Sequence, residues 1–134
     1  DNAYGSELTA LSSPLYTEYF NGSFFVLNTA DNCTAINLAE LRFNGDVNPE
    51  VAVGGGTSTA TLANIPVAAG QAGLAFSAPA AGNTGSVDIS VNSLFDWLKF
   101  DWDGDGSHDN TPTSRATFGI YKGNKKQIYF REVY

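Results

Sequence analysis

Residues 101–110 read DWDGDGSHDN, four aspartates and two glycines in ten positions. Carboxylates are hard oxygen donors. Placed at alternate positions of a tightly curled loop, they converge on one point and suit a hard cation. Asp101, Asp103 and Asp105 alternate, Gly106 follows, and Asp109 comes three residues later. Calcium takes about six to eight oxygens at roughly 2.3–2.6 Å. In the roughly twelve-residue loop of helical calcium sensors they come from positions 1, 3, 5, 7 and 9, with glycine at 6. Asp101, Asp103 and Asp105 fit the first three places, Gly106 the sharp turn, Ser107 a backbone carbonyl, and Asp109 the ninth. These five residues are the predicted ligands, and Ca²⁺ is the predicted ion.

Two departures shape that expectation. Position 12 is Pro112, so the bidentate glutamate of a helical sensor is absent, and no long amphipathic helix flanks the loop. WLKF before it and RATFGIY after it read as strands, which predicts a calcium-binding hairpin loop with a structural role. The expected affinity is of extracellular grade, on the order of 10⁻⁴ to 10⁻³ M. The competing expectation is an acidic turn with no ion, and mutual repulsion of four carboxylates weighs against it. Magnesium dehydrates reluctantly and suits such a cage less.

Other chemistry is poorly served. His108 is the one histidine and lies inside the acidic loop, so a Ser-His-Asp or Cys-His site has to be built around it. Glu7, Glu18, Glu40, Glu50 and Glu132 are scattered, and nothing pairs two carboxylates for glycoside hydrolysis. The expectation is a non-catalytic protein with no catalytic residue and no organic cofactor. Cys33 is the single cysteine and cannot form an internal disulfide. It is either a buried thiol or a partner for a cysteine elsewhere.

The elements that must position the loop are strands. YTEYF and SFFVL flank Asn21-Gly22, a strong signal for a hairpin with a two-residue turn. SVDISV (86–91) alternates, with Val87, Ile89 and Val91 on one face. RATFGIY (115–121) places Ala116, Phe118 and Ile120 together, KGNKK (122–126) reads as a turn, and QIYFREV (127–133) returns as a strand. The Ala/Gly/Thr/Ser-rich middle gives short strands near 58–63 and 72–77, with Gly54-Gly55-Gly56 as an exposed loop. Residues 34–42 and 93–99 are open to a helical turn or a strand. About seven or eight short strands predict an all-β fold, an antiparallel two-sheet β-sandwich, Ig-like or jelly-roll-like.

Length bounds this to a single domain, 1–134. Asp1 in place of an initiator Met suggests the C-terminal part of a longer precursor. The net charge of −7, with no basic stripe, makes nucleic acid and anionic membranes unsuitable partners. No apolar run is long enough for direct membrane insertion. Asn21-Gly22-Ser23 and Asn32-Cys33-Thr34 match the glycosylation pattern.

NAYGSEL, FVLNTADNCT, AGLAFSAPAAGNTGSVDISV, WLKFDWDGDGSHDNTPTSRATFGIYKGN and IYFREVY together resemble the C-terminal domain of MshQ-like proteins of the MSHA type IV pilus locus. The likeness covers most of the chain and is weakest over 35–65. It implies an exported, extracellular or cell-surface bacterial protein concerned with adhesion or a surface appendage. It transfers no catalytic residue, only the aspartate loop at Asp101, Asp103, Asp105 and Asp109. It also implies that the domain begins somewhat upstream, leaving a first strand missing.

Three function classes follow. The favoured one is a calcium-binding surface or adhesion domain whose partners are pilus or surface-appendage proteins, copies of itself, or a glycan. A self-assembling filament subunit of the strand-exchange type is an alternative, since an open sheet edge accepts a strand. A carbohydrate-binding module is another, with Trp97, Trp102, Tyr16, Tyr19 and Tyr129 as stacking candidates. Aromatics at alternating strand positions are more often core, Trp102 excepted.

Overall fold

The computed structural model describes residues 2–92, 98–101 and 103–119. Ile120 and the expected elements at 122–126 and 127–133 lie outside the described residues, as do Trp97, Trp102, Tyr129 and Glu132. Among the described residues the protein is all-β, with three sheets and one 3₁₀ turn, Leu38–Glu40. No helix among those residues is long and apolar enough to cross a membrane.

Eleven strands lie among the described residues: β1 Ala3–Gly5, β2 Leu11–Ser12, β3 Leu15–Tyr16, β4 Glu18–Phe20, β5 Phe25–Leu27, β6 Leu41–Phe43, β7 Glu50–Val53, β8 Gly56–Ala68, β9 Gln71–Phe76, β10 Gly85–Val91 and β11 Thr113–Phe118. The count exceeds the expected seven or eight because several strands are only two or three residues long. One sheet has the order β1-β11-β10-β6. A second runs β2-β9-β8-β7, with β3 also on β9, and β4-β5 form a separate hairpin.

Pairing is antiparallel with one exception. β1 runs parallel to β11, with Ala3 opposite Ala116 and Gly5 opposite Phe118. This corrects the purely antiparallel expectation. Residues 6–10 carry the chain from β1 across to β2 in the other large sheet, so β1 meets β11 without a hairpin to reverse it.

Alternation decides what is inside. Val87 and Ile89 of β10 are buried, as are Ala72, Leu74 and Phe76 of β9, Leu41 and Phe43 of β6, and Val51 and Val53 of β7. With Leu11, Ala60, Ala116 and Phe118, all of these except Ala72 form one core cluster drawn from both large sheets. β8 is longer than the expected 58–63 because Gly56 and Thr57 pair with β7, and because Ala68 rejoins β9 opposite Gln71 after a register shift. Within it Ser58 and Ala60 point inward while Thr57, Thr59 and Thr61 point out. Ser58 is fully buried, and its hydroxyl donates to the Ser77 carbonyl at 2.7 Å, which removes the cost of burying it. The stretch 34–42, open to helix or strand, divides into the 3₁₀ turn and β6.

Gly54 and Gly55 form the expected exposed connection, a tight turn, while Gly56 belongs to β8. Gly54 has φ +59°, and Gly56 pairs with Val53 as the first residue of β8. The Asn83 side chain seals the turn, accepting from the Gly55 amide at 3.0 Å and donating to the Pro79 carbonyl at 2.7 Å. A Cβ on Gly56 would strike that carbonyl and approach the Asn83 amide nitrogen to 2.5 Å. Gly56→Ala is therefore expected to cost about 1–3 kcal/mol in chemical denaturation. A loss below a few tenths would show that the turn has room to move.

The 16–27 hairpin forms, with Phe20 opposite Phe25, but its turn differs from expectation. Four residues, 21–24, connect the strands. Asn21 Oδ1 accepts from the amides of Ser23 at 2.9 Å and Phe24 at 3.0 Å. That Asx turn competes with the two-residue turn and takes its place. The aromatics here are also not core: Tyr16, Tyr19, Phe20 and Phe24 are exposed. The hairpin stands as its own two-stranded sheet.

Candidate metal centre

β10 and β11 are hydrogen-bonded neighbours, Ser90 opposite Thr113, so residues 92–112 are a long excursion between adjacent strands. Its acidic end is closed at the base by a single antiparallel bridge, Phe100 to Asn110, with Phe100 N donating to Asn110 O at 3.1 Å. The expected strand WLKF is reduced to that one bridging residue among those described. The Phe100 ring packs edge-on against Phe25 at 5.4 Å and against His108 at 5.5 Å. The loop is thereby seated on the β4-β5 hairpin, and His108 is exposed beside it.

Asp101 organises the curl. Its Oδ1 accepts from the amides of Gly104 at 2.7 Å and Asp105 at 3.0 Å, and its Oδ2 from Gly106 at 2.9 Å. Gly104 and Gly106 have φ +77° and +90°, a backbone that side chains resist. Partial burial pushes the Asp101 carboxyl up. The amides of Gly106, Gly104 and Asp105 more than offset this and hold it below the ordinary carboxylate range.

The consequence is convergence. Asp101, Asp103 and Asp105 each present an oxygen within 4.8 Å of the others, a spacing that one ion with bonds of about 2.3–2.6 Å can span. A carboxylate has about four lone-pair sites. Asp101 has given three to amides. Asp103 makes only long contacts, to the Asp105 amide at 3.4 Å and the Asn110 side chain at 3.3 Å, and Asp105 accepts one amide, from Ser107 at 2.8 Å. Asp103 and Asp105, both exposed, therefore hold most of the outward acceptor capacity. The donors are all oxygen and anionic, which fits a hard divalent cation. Asp109 stands outside the triad and lines a neighbouring groove with Asp103. Ser107 contributes its amide to the curl. Three of the five predicted ligands are thus brought together by side chain.

A model of the DUF6701 family, fourth domain, matches residues 1–133. The chain belongs to the DUF6701 family. No curated protein matches it, and no solved structure does. The DUF6701 match spans both large sheets and the acidic loop together.

A second carboxylate in this DUF6701 domain went unnoticed in the sequence. Asp31 is buried, and its oxygens accept from the Thr34 hydroxyl at 2.6 Å and the amides of Thr34 at 3.0 Å and Cys33 at 3.1 Å. The Thr34 hydroxyl first, then the two amides, hold its carboxyl well below the usual range. The signal was DNCT, an Asp with Thr three residues on, the spacing of a side-chain-to-backbone turn. Cys33 is exposed, not buried, and its thiol donates to Asp31 at 3.6 Å.

Asp31 sets a pH expectation. Its folded-state pKa is depressed, so its contribution is present above the unfolded value near 4 and fades as pH falls below it. Asp31→Asn should lower Tm most at neutral pH, with the deficit shrinking below about pH 4. A deficit equal at pH 7 and pH 3 would show that the charge contributes nothing.

Proposed function

We propose that this DUF6701 domain is a non-catalytic, calcium-binding module, folded as a two-sheet sandwich, of an MshQ-like exported bacterial surface protein that serves attachment or appendage architecture. The observation that carries the proposal is the convergence of Asp101, Asp103 and Asp105 in a loop curled by two positive-φ glycines and closed by the Phe100–Asn110 bridge. The sandwich reading is supported by the shared core, in which Phe76 of one large sheet meets Phe43 and Phe118 of the other. The family match to a fourth domain supports a multi-domain setting, and the resemblance of the loop and the closing REVY supports an extracellular one. Surface-appendage proteins or further copies of the chain are the proposed partners.

In this role the ion is structural. It offsets carboxylate repulsion in an exposed loop and fixes a long connection against the hairpin through Phe100. Calorimetric titration should find one calcium site with a Kd of about 10⁻⁴ to 10⁻³ M. Replacing Asp103 and Asp105 together by Asn should abolish it. A flat isotherm for the unaltered protein at millimolar calcium would remove the proposal.

A further inference from the structure

Beside the acidic loop lies an open groove of about 1170 Å³. Tyr16, Glu18, Asp103 and Asp109 line it together with apolar side chains such as Leu15 and Phe100. Tyr16 is 46% exposed, in a stretch where Tyr19, Phe20 and Phe24 are exposed as well. Large aromatics left in water and gathered within a few residues mark a contact surface more often than a packing accident.

The chemistry of the walls narrows the occupant. Glu18 and Asp109, outside the calcium triad, outnumber Lys99, the one cation among the described lining residues, and disfavour an anionic ligand. A second copy of the chain, with net charge −7, is disfavoured as the occupant of this groove, whatever other face it pairs through. A sugar ring offers apolar C–H faces to stack on an aromatic and hydroxyls to donate to carboxylates. Both complements occur together in this groove, which Ser90, Thr113 and other hydroxyl side chains also line.

We propose that the groove binds a neutral glycan, with Tyr16 as the stacking platform and Glu18 and Asp109 accepting from its hydroxyls. This rests on the attachment reading above and gives it a ligand class. The test is an NMR titration of the labelled protein with neutral glucose, galactose and N-acetylglucosamine oligosaccharides, run in calcium. At least one sugar should shift amides around Tyr16 and Asp103 with saturable binding. Tyr16→Ala should weaken that binding about tenfold or more, a stacking-sized loss. Tyr4→Ala, at an exposed tyrosine of the other large sheet, should leave it unchanged. Absence of shifts for every sugar, binding that survives Tyr16→Ala, or binding of a lysine-rich peptide in place of sugars would each overturn the proposal. Calcium affinity is measured separately by calorimetry, so a failed sugar titration leaves the metal site standing, and a flat calcium isotherm does not by itself empty the groove.

Discussion

Phe76→Ala is expected to destabilise the protein by about 3–5 kcal/mol, the usual range for removing a fully buried aromatic ring. Phe76 has no exposed surface. It ends β9 in the five-stranded sheet, yet its ring packs edge-on against Phe43 at 5.8 Å and Phe118 at 6.4 Å, both in the four-stranded sheet. One side chain therefore ties the two large sheets together, and its removal leaves a cavity lined from both sides. Because a domain's whole stability is only about 5–15 kcal/mol, a loss of this size shows directly in urea unfolding. Phe24→Ala, at a ring 63% exposed on the hairpin turn, should change stability by less than about 0.5 kcal/mol. The exposed Arg115–Asp88 pair, 2.5 Å between β11 and β10, should contribute little despite its paired geometry, because water screens it. A Phe76→Ala loss below about 1.5 kcal/mol would mean that the two sheets do not depend on this ring.

What could be read in advance follows from how each residue declares its face. SVDISV announces itself by period two, because Val87 and Ile89 contrast sharply with Ser86 and Asp88. TSTATL hides the same period, because its inward residues are Ser58 and Ala60 and its outward ones are threonines. Small polar residues can face a tight core when a carbonyl such as that of Ser77 receives the hydroxyl. The hairpin was legible in its aromatics, but its exposure was not: period two gives two faces without saying that a second layer covers either. The parallel β1 was out of reach for a different reason. Its partner, β11, lies more than a hundred residues away, and no local signal encodes a pairing at that separation.

The acidic loop shows both sides of this. Alternate aspartates and glycines dictate local curvature, so the meeting of Asp101, Asp103 and Asp105 could be anticipated. Where the chain goes after Gly106 depends on Asn110 bridging to Phe100, a tertiary matter, and this leaves Asp109 aimed at the groove and not at the triad.

Calcium is expected to raise the melting temperature by about 5–10 °C between excess chelator and about 10 mM ion. Binding to the folded state alone stabilises by RT ln(1 + [L]/Kd), which is about 2.7 kcal/mol at a hundredfold excess over Kd. At the weaker end of the expected affinity range the gain is about half of that. Asp101 and Asp103 do not answer the same question. Asp101 carries three amides, so Asp101→Asn weakens the turn with or without calcium. Asp103 and Asp105 carry few internal bonds. Replacing both by Asn should leave the melting temperature in chelator nearly unchanged, or slightly raised by relieved repulsion, while erasing the calcium increment. Magnesium at the same concentration should give a smaller increment, because it holds its own water more tightly. If the unaltered protein melts at one temperature in chelator and in calcium, the Asp101 amides suffice to hold the turn, and the carboxylates of Asp103 and Asp105 face water as ordinary surface charge.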